Sequence, residues 1–121
     1  MRVVSFALLA LVAGIARADE PTGAALFATH CASCHGGDAE GGGPAAAAMA
    51  IAVPNLRTFS LRNGGVFPAD TVASYIDGRE QLAAHGSRSM PIWGDLLQVE
   101  NGAGQPRIVT LVEFIEGLQH R

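Results

Sequence analysis

The sequence predicts an all-α domain built from about four to five short helices, and three observations support this. Glycines and prolines recur along the chain and leave room only for short elements between them. No alternation of apolar and polar residues is long enough to propose a β-sheet. The C-terminal segment carries an apolar stripe at helical spacing, formed by Ile108, Leu111, Val112, Ile115 and Leu118.

The first half of the domain is predicted to hold two helices separated by a loop. The first runs from about Pro21 to Cys34, because proline suits a first helical turn and Leu26, Phe27 and Cys31 share one face. Residues 36–44 are rich in glycine and form a loop. The alanine-rich run 45–52 favours a short second helix, although it has no strong polar face.

The middle of the chain predicts two further helices with clear ends. One covers about Leu56 to Asn63 and is stopped by Gly64 and Gly65. The next begins near Pro68 with an acidic residue in its first turn, and it ends at Gly78.

The final third predicts a long irregular segment followed by the last helix. Residues 80–106 hold several glycines and prolines and few periodic positions, so most of them are predicted as loop. Within this segment Val99 to Pro106 is predicted as a loop that directly precedes the last helix. The last helix then covers about Arg107 to Gln119.

Residues 1–18 carry the three parts of a secretory signal peptide. Arg2 is followed by an apolar run from Val3 to Ile15 and by an Ala16-Arg17-Ala18 end. A membrane span needs about 20 apolar residues, so this run is too short for a permanent anchor. We therefore expect cleavage after Ala18, export to the periplasm, no stable membrane span, and a single domain over residues 19–121.

The charge of the predicted mature domain excludes some classes of partner. The chain contains no lysine, and cleavage would leave six arginines against eleven acidic residues. Nucleic acids and anionic lipid surfaces are bound by clusters of Lys and Arg, so we expect neither as a partner. The balance favours a protein partner with a basic or neutral docking patch.

One motif carries specific chemistry. Cys31, Cys34 and His35 form the pattern C-x-x-C-H, which is the attachment signature of c-type haem. Two thiols one helical turn apart can add across the two vinyl groups of the porphyrin and form thioethers. The following imidazole then lies under the ring plane and can bind the iron.

Three other interpretations of the cysteine pair were weighed. A thioredoxin-like redox pair requires a βαβ context, which the sequence does not show. A zinc site requires four ligands, and no second cysteine pair exists. A plain structural disulfide is the third, because two cysteines in an exported protein usually pair. The spacing of three residues and the histidine directly after the second cysteine favour haem attachment instead.

The second axial position of the iron has several candidate ligands. Met90 is favoured because it lies in a turn-rich loop, 89–94, that can fold over the opposite haem face, with Trp93 packing beside the ring. His85 is the strongest rival, since Gly86 makes its loop mobile. The other candidates are Met49, predicted as core, His30, too close to the motif, and His120, predicted as terminal and exposed.

From Gly23 to Leu118 the chain resembles the class I monohaem cytochrome c family. Gly23 and Phe27 precede the first haem cysteine at steps of four, as in the first helix of that family. Leu111 and Phe114 are similar to the pair on its last helix, which crosses the first helix at the small glycine. The resemblance implies a cytochrome c fold whose helices wrap around one covalently bound haem.

The same resemblance implies roles for two further positions. Pro54 is similar to the proline of the family whose carbonyl accepts a hydrogen bond from the proximal histidine, here His35. Met90-Pro91 resembles the family's distal ligand loop. The chain departs from the family in having no lysines around the exposed haem edge.

The function expected from these residues is single-electron transfer, with haem c and its iron as the cofactor and no bond made to a substrate. Redox partner proteins are expected as donor and acceptor, and haem-ligation machinery is expected during maturation. The chain would then be an electron carrier and not an enzyme. The alternatives are a haem subunit of, or a dedicated partner to, a larger oxidoreductase, a haem gas sensor or peroxidase-like enzyme, and a haem-free disulfide protein.

Overall fold

The computed structural model describes residues 20–79, 89–97 and 104–120. In these ranges the chain forms α-helices and 3-10 turns, among them Ala46–Ala48 and Leu56–Thr58, and no strand, so the all-α prediction is confirmed. The predicted signal peptide, residues 1–18, lies outside the described residues. The helices are α1 (Gly23–His30), α2 (Ala32–His35), α3 (Phe59–Arg62), α4 (Ala69–Asp77), α5 (Gly94–Leu97) and α6 (Gly104–Gly117).

These six described helices exceed the four to five expected, partly because the first predicted helix is divided. It begins at Gly23 and not at Pro21, because the Thr22 hydroxyl caps it by accepting a hydrogen bond from the Ala25 N–H (3.2 Å). At Cys31 the backbone stays in the right-handed helical region, but φ widens to −116°, and α2 begins at the next residue.

The predicted helix over 45–52 is wrong except for a single 3-10 turn at Ala46–Ala48. At Met49 the backbone is already extended, with ψ at 140°. Alanine has a high helix propensity, but a helix this short needs tertiary packing, and alanine side chains bury little apolar surface.

Helix α5 lies inside the segment predicted as loop. Four residues are too few to show periodicity, and tertiary contacts hold the helix: Leu97 is 1 % exposed and its N–H donates to the Trp93 carbonyl (2.8 Å). Residues 80–88 and 98–103 of the predicted loop lie outside the described residues.

Helix α6 begins three residues earlier than predicted. Gly104 to Pro106, the end of the predicted Val99–Pro106 loop, are helical. Pro106 falls in the first turn, where the N–H that proline lacks would have no partner inside the helix. The helix predicted over about Leu56 to Asn63 is divided into the 3-10 turn Leu56–Thr58 and the four-residue α3. Helix α4 agrees with the sequence and ends at Gly78, which takes the left-handed conformation with φ at 71°.

Helices α1 and α6 cross where the sequence places a glycine. A Cβ on Gly23 would lie 2.5 Å from the Thr110 carbonyl oxygen and 2.6 Å from the Phe114 Cβ, so only glycine permits this separation. One turn further along, the rings of Phe27 and Phe114 pack with centroids 5.5 Å apart. This crossing fixes the helix that leads directly into Cys31.

The core continues along α6, which also packs against α4 and α5. The buried apolar side chains that join these elements are Leu26, Val72, Ile76, Leu97, Ile108, Leu111, Val112 and Ile115.

None of the helices in the described part of the chain combines the length and the apolar character needed to cross a membrane.

The segment after α6 holds the middle of the chain in place. The Gln119 side chain accepts a hydrogen bond from the Ser60 N–H (3.0 Å) and donates one to the Leu56 carbonyl (2.8 Å). The His120 N–H donates to the Arg57 carbonyl (2.9 Å). The C-terminal segment therefore holds in place the 3-10 turn Leu56–Thr58, which begins two residues after Pro54.

Candidate functional site

The two cysteines and His35 lie on one helical turn. The Cys31 carbonyl accepts hydrogen bonds from the N–H groups of Cys34 (3.2 Å) and His35 (2.9 Å), which closes the turn. Both cysteines are free thiols, Cys31 buried and Cys34 half-buried. Neither thiol is used in a disulfide, so both are available for thioether bonds.

The glycine-rich loop folds back onto the end of this turn. Three carbonyls of α2 that lack helical partners accept hydrogen bonds from it. The Gly41 N–H donates to the His35 carbonyl (2.7 Å), the Gly43 N–H to the Cys34 carbonyl (3.1 Å), and the Ala45 N–H to the Ser33 carbonyl (2.8 Å). The loop predicted over 36–44 therefore holds the C-x-x-C-H turn rigid.

Replacing Gly43 with alanine is expected to destabilise the folded protein by about 2 kcal/mol, the typical cost of overpacking. A Cβ there would collide with the Ser33 carbonyl oxygen and would lie 2.6 Å from the Ala32 oxygen and 2.7 Å from the Cys34 carbonyl carbon. Backbone atoms cannot rotate away as a side chain does. Denaturant unfolding of the haem-loaded protein measures the loss.

Gly42→Ala is the matched control, since nothing lies within 4 Å of a Cβ at that neighbouring position. We expect its unfolding midpoint to stay within a few tenths of a molar of wild type. Equal midpoints for the Gly43 and Gly42 variants would show that the loop does not press on the motif.

The surroundings of His35 favour the neutral form of its imidazole. Its side chain is buried, and Nδ1 lies 3.3 Å from the Pro54 carbonyl oxygen, which is the contact that the family resemblance implies. Burial lowers the pKa of the imidazole, and the hydrogen bond to Pro54 opposes this in part. With Nδ1–H donating to Pro54, the lone pair is on Nε2, for which no described residue is a hydrogen-bond partner.

The Cys31 thiol does not have the properties of a redox-active cysteine. Burial, with a smaller contribution from Cys34, raises the pKa of Cys31 to about 11. Reactive cysteines have a lowered pKa, because the thiolate is the nucleophile. The thioredoxin-like alternative thus lacks support.

Among the described residues no group of three or more His, Cys, Asp or Glu side chains is placed to hold a metal ion.

Trp93 lies close to the residue that precedes the motif. Its ring centroid is 5.2 Å from that of His30, and the backbone N–H of Trp93 donates to the Ile76 carbonyl (3.1 Å). Met90 is half-buried and packs against the core cluster, as Trp93 does. The segment 89–97 is therefore brought against the α1 side of the motif and the end of α4.

The other candidate ligands are placed as follows. His85 lies outside the described residues. Met49 is half-buried in extended backbone, and His30 is half-buried against Trp93. His120 was predicted to be exposed, but it is half-buried, with Nε2 3.8 Å from a Glu40 carboxylate oxygen.

Sequence reasoning missed an ion pair that supports the segment 89–97. The Arg79 guanidinium donates to both carboxylate oxygens of Asp77 (2.7 Å each), and these hydrogen bonds lower the pKa of Asp77. A Cβ on Gly94 would lie 2.7 Å from Arg79 Nε and from Asp77 Oδ1. The chain just after Met90 and Trp93 therefore packs directly on this ion pair. No signal in the sequence links Gly94 to the pair.

The donor set fits a covalently bound haem. Two free thiols on one turn and an imidazole with one nitrogen unpartnered are the groups that a haem c needs from its protein. His30 and His120, by contrast, each contact another side chain of the chain itself.

Comparison with known proteins agrees with this geometry. Neither the curated proteins nor the solved structures contain a significant match to the chain. Residues 18–103, which include the C-x-x-C-H turn, Pro54 and Met90, match the family model described as cytochrome c oxidase, cbb3-type, subunit III. The chain therefore belongs to this family, and its cytochrome c domain, which implies haem c with iron, marks it as a c-type haem electron carrier.

Proposed function

We propose that the chain is a periplasmic electron carrier with one haem c, whose iron is bound by His35 on one side and Met90 on the other. The observation that carries this proposal is the placement of His35: a buried imidazole with Nδ1 directed to the Pro54 carbonyl, on the same turn as two free thiols. Export rests on the sequence of residues 1–18.

Each residue of the site has a distinct task. Cys31 and Cys34 would hold the haem through thioethers, in which each S–H adds across one vinyl group and supplies sulfur to one carbon and hydrogen to the other. The Pro54 carbonyl orients the His35 ring and increases the basicity of Nε2. When bound, haem c supplies an iron that exchanges one electron between its ferric and ferrous states.

The surroundings of the site favour the ferrous state. A methionine thioether is a soft ligand that stabilises ferrous iron relative to a second imidazole. Met90 and Trp93 are half-buried against the apolar core cluster. Apolar surroundings of this kind would disfavour the additional charge of ferric iron. We therefore infer a higher reduction potential than bis-histidine ligation would give.

A second candidate is a fixed haem subunit of a larger oxidoreductase, or a dedicated partner of one. The description of the matched family, a subunit of a cbb3-type cytochrome c oxidase, favours this candidate. Purification of the native protein from its own membranes and periplasm separates the two. A carrier is recovered alone from the soluble fraction, whereas a subunit is recovered with its oxidase.

Optical spectra of the mature protein, oxidised and reduced, test the proposed ligation. We expect a low-spin spectrum in both states, a weak near-infrared charge-transfer band from iron–methionine bonding in the oxidised state, and no rapid binding of carbon monoxide on reduction. A high-spin reduced spectrum with fast carbon monoxide binding would instead favour a gas sensor or peroxidase-like enzyme.

A further inference from the structure

The segment 89–97 is held by the C-terminal end of helix α4. The backbone N–H of Trp93 donates to the Ile76 carbonyl (3.1 Å). A Cβ on Gly94 would lie 2.9 Å from the Asp77 carbonyl oxygen and 2.7 Å from Asp77 Oδ1, so the chain there lies directly on the last residue of α4. Two adjacent residues of the segment therefore contact two adjacent residues of α4.

The surface beneath Gly94 is an ion pair with a fixed geometry. The left-handed Gly78 turns the chain, and the backbone N–H of Arg79 donates to Asp77 Oδ1 (3.2 Å). The guanidinium donates from Nε to Oδ1 and from Nη2 to Oδ2 (2.7 Å each), and its Nη1 lies 3.8 Å from an Asp95 carboxylate oxygen on α5. Two parallel bonds between planar groups leave little rotational freedom. The pair therefore gives the start of α5 a rigid surface to pack on.

The exposure of the pair indicates a local role. The Arg79 side chain is 35 % exposed and the Asp77 side chain 19 % exposed. Ion pairs that solvent reaches contribute little to the free energy of unfolding. Loss of the guanidinium would, however, leave a carboxylate under Gly94 without its partner, which favours entry of water between α4 and the segment 89–97. We therefore expect the segment, and not the whole fold, to respond.

A short and stiff stretch of chain connects this contact to the proposed iron ligand. Met90 is three residues before Trp93. Consecutive Cα atoms are 3.8 Å apart, so the Cα atoms of these two residues are separated by at most about 11 Å. Pro91 fixes its own φ and restricts the backbone of Met90 to extended conformations. A displacement at Trp93 and Gly94 is therefore passed on to Met90.

We propose that the Asp77–Arg79 pair is a positioning element for Met90 and sets how often the thioether leaves the iron. This inference rests on the proposed function, because it requires ligation of the iron by Met90. With the pair intact, the segment 89–97 stays on α4 and keeps the sulfur in place. With the pair broken, the segment separates from α4 more often, and the sixth position of the iron opens to external ligands.

Arg79→Gln in the haem-loaded protein tests this assignment, with Arg107→Gln as the matched control. Arg107 forms an ion pair with Glu20 (2.9 Å) that joins α6 to the residues before α1, so its replacement also removes one charge and one ion pair. The first measurement is the apparent affinity of the ferric protein for imidazole, followed by loss of the near-infrared iron–methionine band. The second is the midpoint of denaturant unfolding.

We expect Arg79→Gln to raise the apparent affinity for imidazole by about tenfold, because an external ligand binds in proportion to the fraction of molecules whose sixth position is open. Arg79→Lys should raise it less, since the charge stays but the bidentate contact is lost. Arg107→Gln should keep the wild-type affinity, and the two glutamine variants should unfold at similar midpoints. If Arg79→Gln does not retain haem, the affinity of Arg79→Lys decides.

Gly94→Ala perturbs the same contact from the side of the segment. Its added Cβ would lie 2.7 Å from Arg79 Nε, so this variant should also raise the affinity for imidazole. Because both changes act on one contact, the increase in the double variant should be smaller than the product of the two single increases. Two increases that simply multiply would contradict a shared route to the iron.

A wild-type imidazole affinity in both Arg79 variants, or an equal increase in Arg107→Gln, would overturn the assignment and leave ligation by Met90 intact. Failure of the proposed function is distinguished from this, because it appears as absence of the near-infrared band in the wild-type protein itself. That result would overturn the present inference as well.

Discussion

Replacing Gly23 with valine is expected to lower the free energy of unfolding by about 3 kcal/mol, at the upper end of the usual cost of overpacking. Even a Cβ would lie 2.5 Å from the Thr110 carbonyl oxygen and 2.6 Å from the Phe114 Cβ. The two helices would have to separate, and the 5.5 Å packing of Phe27 on Phe114 would loosen with them. Denaturant unfolding of the haem-loaded protein measures this change.

Gly117→Ala is the control, because it lies on the same α6 and has nothing within 4 Å of a Cβ. Alanine in place of an unstrained glycine stabilises a protein by about 0.4–1 kcal/mol. A Gly23→Val protein that unfolds at the wild-type midpoint would contradict the described crossing of α1 and α6.

Replacing Met90 with alanine is expected to remove the sixth ligand of the iron. The near-infrared band should disappear, the reduced protein should bind carbon monoxide rapidly, and the reduction potential should fall, because the thioether no longer stabilises ferrous iron. Axial ligands set haem potentials over about 0.8 V, so this shift should be the largest among the variants. Optical spectra and redox titration measure all three effects.

Met49→Ala is the matched control for this variant. Met49 is also half-buried, and its replacement removes the same kind of side chain. It lies, however, in the extended segment after the 3-10 turn at Ala46–Ala48. Its spectra should match wild type. A Met90→Ala protein that keeps the near-infrared band would eliminate Met90 as the ligand and would direct attention to His85.

The elements that the sequence predicts correctly are those defined by local chemistry. Helix α4 has an acidic first turn and ends at a left-handed Gly78, both readable from the sequence. The apolar stripe of α6 is visible in the sequence and identifies the face that packs against the other helices. The break at Cys31 and the helix α5 were not predictable, since four-residue helices have no periodicity and depend on contacts made elsewhere in the chain.

The site divides in the same way. Cys31, Cys34 and His35 are adjacent in the sequence, so their chemistry is evident without a structure. The contact of Pro54 with His35 spans 19 residues and came only from a family resemblance. The packing of Gly94 on the Asp77–Arg79 pair is a product of tertiary structure, and no local sequence pattern predicts it.

The most direct test of the account is acid-acetone extraction of the mature protein, produced in a host with haem-ligation machinery and followed by mass spectrometry of the denatured chain. We predict that the colour stays with the polypeptide and that its mass exceeds the chain mass by one haem. A colourless protein at the bare chain mass would contradict the attachment of haem to Cys31 and Cys34.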